Sequence, residues 1–168
     1  ELPPYVGFGY EGKYYFPRVP NPRMTVETRG VERLTITAHR MFPNNIAVAV
    51  NEIGYGNASS VLENWSEDLA TTTVSIFADL SEVTETPIDL DAILPPGRKG
   101  VFCLAVREPE RERWYRDGKI VLTTELGALA HWQDEELMIF VHDLVSLAPR
   151  PGASVTVYSD KNQVLGRA

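Results

Sequence analysis

The stretch from Gly118 to Gly166 restricts what this 168-residue chain can fold into more than any other. Ile120, Leu122, Thr124 and Leu126 fall on one face of an extended segment and Val121, Thr123 and Glu125 on the other, a period of two that predicts a strand. A polar link containing Gln133, Asp134, Glu135 and Glu136 follows, and Leu137, Ile139 and Val141 then open a second strand of the same character. Pro149-Arg150-Pro151-Gly152 makes a turn. Beyond it Val155 and Val157 alternate with Thr156 and Tyr158 in a third strand that runs into Asp160-Lys161-Asn162. One domain is therefore expected over 1–132, with 1–11 an irregular lead-in, and the opening strands of another over 133–168.

The upstream chain carries the same alternation. Met24 and Val26 alternate with Thr25 and Glu27; Leu34, Ile36, Ala38 and Phe42 share a face opposite Arg33, Thr35, Thr37 and His39, which places His39 on the solvated side. Ile46, Ala49, Val50 and Ile53 follow the spacing of one helix face, with Asn44 as N-cap and Gly54 as terminator. Trp65 sits in a segment, 61–68, that reads as a second short helical turn. Thr71 to Asp79, with Val74, Ile76 and Phe77, reads as a strand, and 80–94 as a connection anchored by Ile88, Leu90, Ile93 and Leu94. The run from Gly100 to Val106 is apolar on both faces and predicts a central strand covered on both sides, with Cys103 in it.

Several of these segments resemble the bacterial alpha-2-macroglobulin family. Ile120 to Gly127 is similar to the strand that ends one macroglobulin domain there. Leu137 to Leu144, Pro151 to Tyr158 and Gln163-Val164-Leu165 are similar, in order, to the opening of the next, with Glu125 standing where the family often has Asp and Asn162 where it often has Gly. Met24 to Phe42, and Leu94-Pro95-Pro96-Gly97 followed by Val101 to Val106, fit the same pattern. The resemblance implies an all-β fold: an antiparallel seven-stranded macroglobulin/fibronectin-like sandwich with one short helix, followed by the first strands of a second β domain. It implies a non-catalytic structural role in a periplasmic protein, lipid-anchored to the inner membrane in many members, whose stacked domains entrap proteases. The expected partners are neighbouring macroglobulin domains and, through the parent protein, target proteases, with strand pairing through 137–158. The family's Cys-x-Glu-Gln thioester motif does not occur in this sequence.

Composition and motif spacing point away from other chemistries. A formal net charge of −7 repels phosphate backbones, so nucleic acid is not an expected partner. The charge-dense run from Arg107 to Asp117 sets four Arg against three Glu and one Asp and creates no net field. Gly7-Phe8-Gly9-Tyr10-Glu11-Gly12 satisfies G-x-G-x-x-G formally, but an aromatic run, Lys13 to Pro17, follows it where a dinucleotide fingerprint needs a helix. His39, His131 and His142 lack metal-ligand spacing, and Cys103 is a lone cysteine with the character of a small core residue. No catalytic, cofactor-binding or metal residue is therefore assigned, and no cofactor. The reading from another class is a binding module for carbohydrate or cell-surface adhesion, in which Trp65, Trp114 and Trp132 would form a stacking platform.

Overall fold

The computed structural model describes residues 2–17, 22–54, 64–77, 81–95, 97, 99–110 and 117–168, with the backbone alone at 53 and 54. The chain forms two compact units, Glu1–Thr123 and Thr124–Ala168. Trp114 and most of the Arg107–Asp117 run lie outside the described residues.

In the first unit the strands are β1 (Tyr5–Phe8), β2 (Tyr14–Tyr15), β3 (Arg23–Arg29), β4 (Arg33–Met41), β5 (Ser66–Ser75), β6 (Thr84–Asp89), β7 (Gly100–Arg107) and β8 (Asp117–Thr123), with a helix, α1 (Ile46–Gly54), between β4 and β5. They make two sheets, β1-β3-β6 and β2-β8-β7-β4-β5. Every pairing is antiparallel except that of two-residue β2 with β8. This is the all-β sandwich the sequence predicts. Its described strands number eight: β1 and β6 fall in segments that sequence alone leaves as lead-in or connection, and β2 lies in the aromatic, strand-like run from Lys13 to Pro17.

Period-two alternation builds the core directly. Met24, Val26 and Ile88 from the smaller sheet meet Leu34, Ile36, Phe102, Leu104 and Val121 from the larger. The alternate residues of β7, Cys103 and Ala105, point to the other face of the larger sheet, where they join Met41, Ile120 and Ala49 of α1 in a second cluster. A strand covered on both faces has no polar side, which is why Val101–Val106 reads as a continuous apolar run. Cys103 has no solvent exposure. A thiol reagent added without denaturant should leave Cys103 unlabelled on the time scale in which denatured chain reacts fully; rapid native labelling would refute this packing.

Several local expectations change. His39 faces away from the main core, as its parity demands, but that face is covered there: the side chain is 5% exposed and its Nδ1 lies 2.8 Å from Oδ1 of Asp68 on neighbouring β5. A register shift between Ala38 and His39 brings Asp68 opposite His39. Phe42 lies beyond the end of β4 and is exposed, while Met41 is buried in the cluster on the opposite face from Leu34, Ile36 and Ala38. Asn44 is not an N-cap, because a single 3₁₀ turn, Pro43–Asn45, precedes α1; that turn is entered from Phe42, whose carbonyl accepts from the Asn45 N–H at 2.9 Å. Asn64 and Trp65 are helical, as expected within 61–68, but Ser66–Asp68 belong to β5, and 61–63 lie outside the described residues. The anchors of 80–94 are all buried, but Ile88 sits in β6, an edge strand that tolerates Pro87 because only one of its sides is paired. Phe77, expected in a strand, lies past the end of β5 and is 95% exposed.

The second unit consists of two hairpins, β9 (Leu126–Gln133) with β10 (Glu136–Asp143) and β11 (Thr156–Tyr158) with β12 (Val164–Arg167). The strand expected to run from Ile120 through Leu126 is two strands. β8 stops at Thr123, and Thr124 Oγ1 accepts from the Leu126 N–H at 3.0 Å as the chain restarts in β9. The polar link is the tip of the β9–β10 hairpin, with Asp134 in the left-handed region at φ 54. Asn162 holds φ 64 in the β11–β12 turn. Its short polar side chain makes it one of the few residues that substitute for Gly in that conformation.

Asp143 organises the turn after β10. Its Oδ1 accepts from the backbone N–H groups of Val145 (3.0 Å) and Ser146 (2.9 Å), and its Oδ2 from the Arg150 guanidinium. The Ser146 N–H, then Arg150, then the Val145 N–H hold its carboxyl far below the ordinary value of 3.8. Because the folded pKa is depressed, this stabilisation is complete above the unfolded value and is lost as pH falls from there through the folded one. Asp143→Ala should therefore lower the urea midpoint of the second unit at neutral pH, with the difference from wild type shrinking on acidification. An equal difference at all pH values would show that the carboxylate is not the cause.

Candidate interaction surface

The residue types that do chemistry are dispersed. Among the described residues no three His, Cys, Asp or Glu side chains gather as a metal site. Gly7 lies in β1, the Gly9 N–H donates to the Thr25 carbonyl at 2.9 Å, and Gly12 turns the chain at φ 100 into β2. That glycine-rich stretch is thus a strand and a turn, with no helix N-terminus to receive a phosphate. Its aromatics pack inward: the Tyr10 ring lies 6.4 Å from Phe8 and 5.2 Å from Tyr15, with Lys119 Nζ 5.2 Å from its centroid. Burial, then the neighbouring Tyr15, pushes the Tyr10 phenol well above its ordinary 10.0, so it stays neutral at physiological pH.

Of the three tryptophans that a stacking platform would use, Trp114 lies outside the described residues, and Trp65 and Trp132 belong to different units. Trp65 packs against the cluster beneath α1, and its backbone carbonyl accepts from Asn45 Nδ2 at 3.3 Å. Trp132, in the second unit, is 66% exposed, and its indole N–H is committed to the Asp134 carbonyl at 3.0 Å.

What the described residues do offer is a groove in the second unit. Pairing in β9–β10 places Leu137 opposite Trp132, Ile139 opposite Ala130 and Val141 opposite Ala128, so these side chains share one face of the hairpin. Trp132, Leu137, Ile139 and Val141, with Val155, Val157 and Leu165, line a groove of about 520 Å³. Arg150, Glu135 and Arg167 stand among its lining residues. Ile139 and Val141 are only half-buried, although Glu136–Asp143 is hydrogen-bonded along its β9 side. The apolar part of such a face can bury area against another surface. Sequence alternation gives the strands that line it, but it does not show which of their faces lacks a cover.

No protein-family model matches the chain, and no curated protein matches it in sequence. Solved structures do match. A crystal structure of native alpha-2-macroglobulin from Escherichia coli spanning domains NIE-MG1 aligns over 100% of this chain and 83% of its own at TM-score 0.76 and 20% identity. A longer piece of the same protein, spanning MG0-NIE-MG1, aligns over 100% of this chain and 54% of its own at TM-score 0.75 and 19% identity. Salmonella alpha-2-macroglobulin reacted with methylamine aligns over 99% of this chain and 10% of its own at TM-score 0.72 and 19% identity. The chain thus spans about half of the MG0-NIE-MG1 structure and a tenth of the Salmonella chain. Across both units, then, this is the macroglobulin-like β fold of bacterial alpha-2-macroglobulin structures.

Proposed function

We propose that the chain is a non-catalytic structural segment of a bacterial alpha-2-macroglobulin-like protein that entraps proteases, acting in the periplasm. The observation that carries this reading is the match of the whole chain, both units together, to the two-domain NIE-MG1 segment at TM-score 0.76. In that reading the first unit corresponds to the first of those domains. The second unit is the opening part of the next, and the groove beside Ile139 and Leu165 is where the rest of that domain packs. The partners of this segment are then neighbouring domains of the same polypeptide, and proteases meet it only as part of the assembled trap.

The test is made with the full-length parent protein and the 168-residue chain side by side, each incubated with a broad-specificity protease. The parent should shield the protease from a large protein substrate while a small peptide substrate is still cleaved. The 168-residue chain should leave both substrates open to cleavage. Inhibition by the short chain alone, or no shielding by the parent, would overturn the proposal.

A further inference from the structure

A sheet that packs on one side alternates apolar residues with polar ones, whereas a strand covered on both sides is apolar throughout, as Val101–Val106 of β7 is between the main core and the α1 cluster. The hairpin of β9 and β10 follows the second pattern. One face carries Leu137, Ile139 and Val141 toward the groove. The opposite face sets Leu129 against Phe140, His131 against Met138 and Gly127 against His142. Gly127 makes room for what lies over it: a Cβ there would stand 2.5 Å from His142 Nε2 and 2.8 Å from Leu144 Cδ2, so the imidazole and Leu144 extend this face across the β9 backbone. The only Asp, Glu, Lys or Arg among its strand residues is Glu136, at the hairpin tip. Every residue of the second unit, 124–168, is described, and within it Leu129 stays 62% exposed, Phe140 57% and Leu144 44%.

We propose that this second face, built around Leu129 and Phe140, is an interdomain surface covered in the parent by an apolar patch of another domain of the same polypeptide, an inference that rests on the alpha-2-macroglobulin-like reading above. In that reading the rest of the hairpin's own domain fills the groove, and one packed layer cannot also cover the opposite side of the same two strands. Chain length names the occupant. The 168 residues align with 10% of the Salmonella chain, so most of such a polypeptide lies outside them. A domain tethered on that polypeptide meets the face at an effective concentration on the order of millimolar when the link is short, ahead of any free partner. It also keeps a patch that carries almost no charge out of water at all times, which a transient partner does not.

Hydroxyl-radical footprinting of the intact parent and of the 168-residue chain, each over a concentration series, tests this. Leu129, Met138 and Phe140 should be oxidised several-fold more slowly in the parent than in the short chain, and the protection should be independent of parent concentration. Leu165 reports on the groove separately. Equal oxidation of Leu129 and Phe140 in the two chains, whether fast or slow, overturns the proposal. Where Leu165 is protected in the parent at the same time, the groove is covered and only the second face has been misread, and the protease-shielding assay judges the underlying reading independently. Protection that grows as the parent is concentrated also overturns the proposal, because the cover is then a separate molecule.

Discussion

Phe102→Ala should cost the first unit about 3–5 kcal/mol, a large part of the roughly 5–15 kcal/mol that holds a domain of this size together. Phe102 is 1% exposed and contributes its ring to the core between the two sheets, on the central strand of the larger one. Truncation removes its transfer free energy and leaves a cavity that β4 and β8, hydrogen-bonded on either side of β7, cannot collapse to fill. The measurement is a urea titration followed by a probe of the first unit, with Phe77→Ala as the control in dilute solution. That second phenylalanine lies almost wholly in water, and its loss should change stability by no more than about 0.5 kcal/mol. Similar costs for the two would show that the core has been misplaced.

The second large effect depends on the length of the chain in which it is measured. Leu165 is 67% exposed on the rim of the second-unit groove, so Leu165→Asp should be nearly neutral in the 168-residue chain. In a longer chain whose further strands pack on that groove, the same carboxylate is removed from water without a partner, at a cost of about 3 kcal/mol or more. Comparing urea midpoints of wild type and variant in both lengths separates a groove that is completed from one that stays open. A small change in both would sink the idea that this face belongs to a domain core.

How far these features were legible depends on whether a segment's pattern is set by its own burial or by what covers it. β4 and β7 announce themselves because both sit mid-sheet: Leu34 and Ile36 alternate with polar residues, and Val101–Val106 is an unbroken apolar run. β6 was hidden by Pro87, which argues against a strand unless the segment lies at an edge, a tertiary fact. β1 was hidden by two glycines and its length of four. His39 had the right parity and the wrong environment, since the helix side of the larger sheet is as dry as the core side at that point. For the groove, the residues of Leu137–Val141 were legible as strand, and the open side was not, because exposure of an apolar face is a property of what packs on it.

The pairing of β2 with β8 carries a consequence for synthesis on the ribosome. Tyr14 and Tyr15 find their ladder partners at Ile120 and Val121, more than a hundred residues later, and the Phe8 N–H donates to Asp117 at 3.0 Å across a similar separation. Closing a loop of that size is entropically slow, and nothing local substitutes for it. β1 can pair with β3 early, but β2 of the nascent chain waits without its ladder partner until β8 has left the exit tunnel. The hairpins that follow close across links of a few residues and need no such delay. A stalled chain ending before Asp117 should leave Tyr14 and Tyr15 open to protease, whereas one extended well past Thr123 should not.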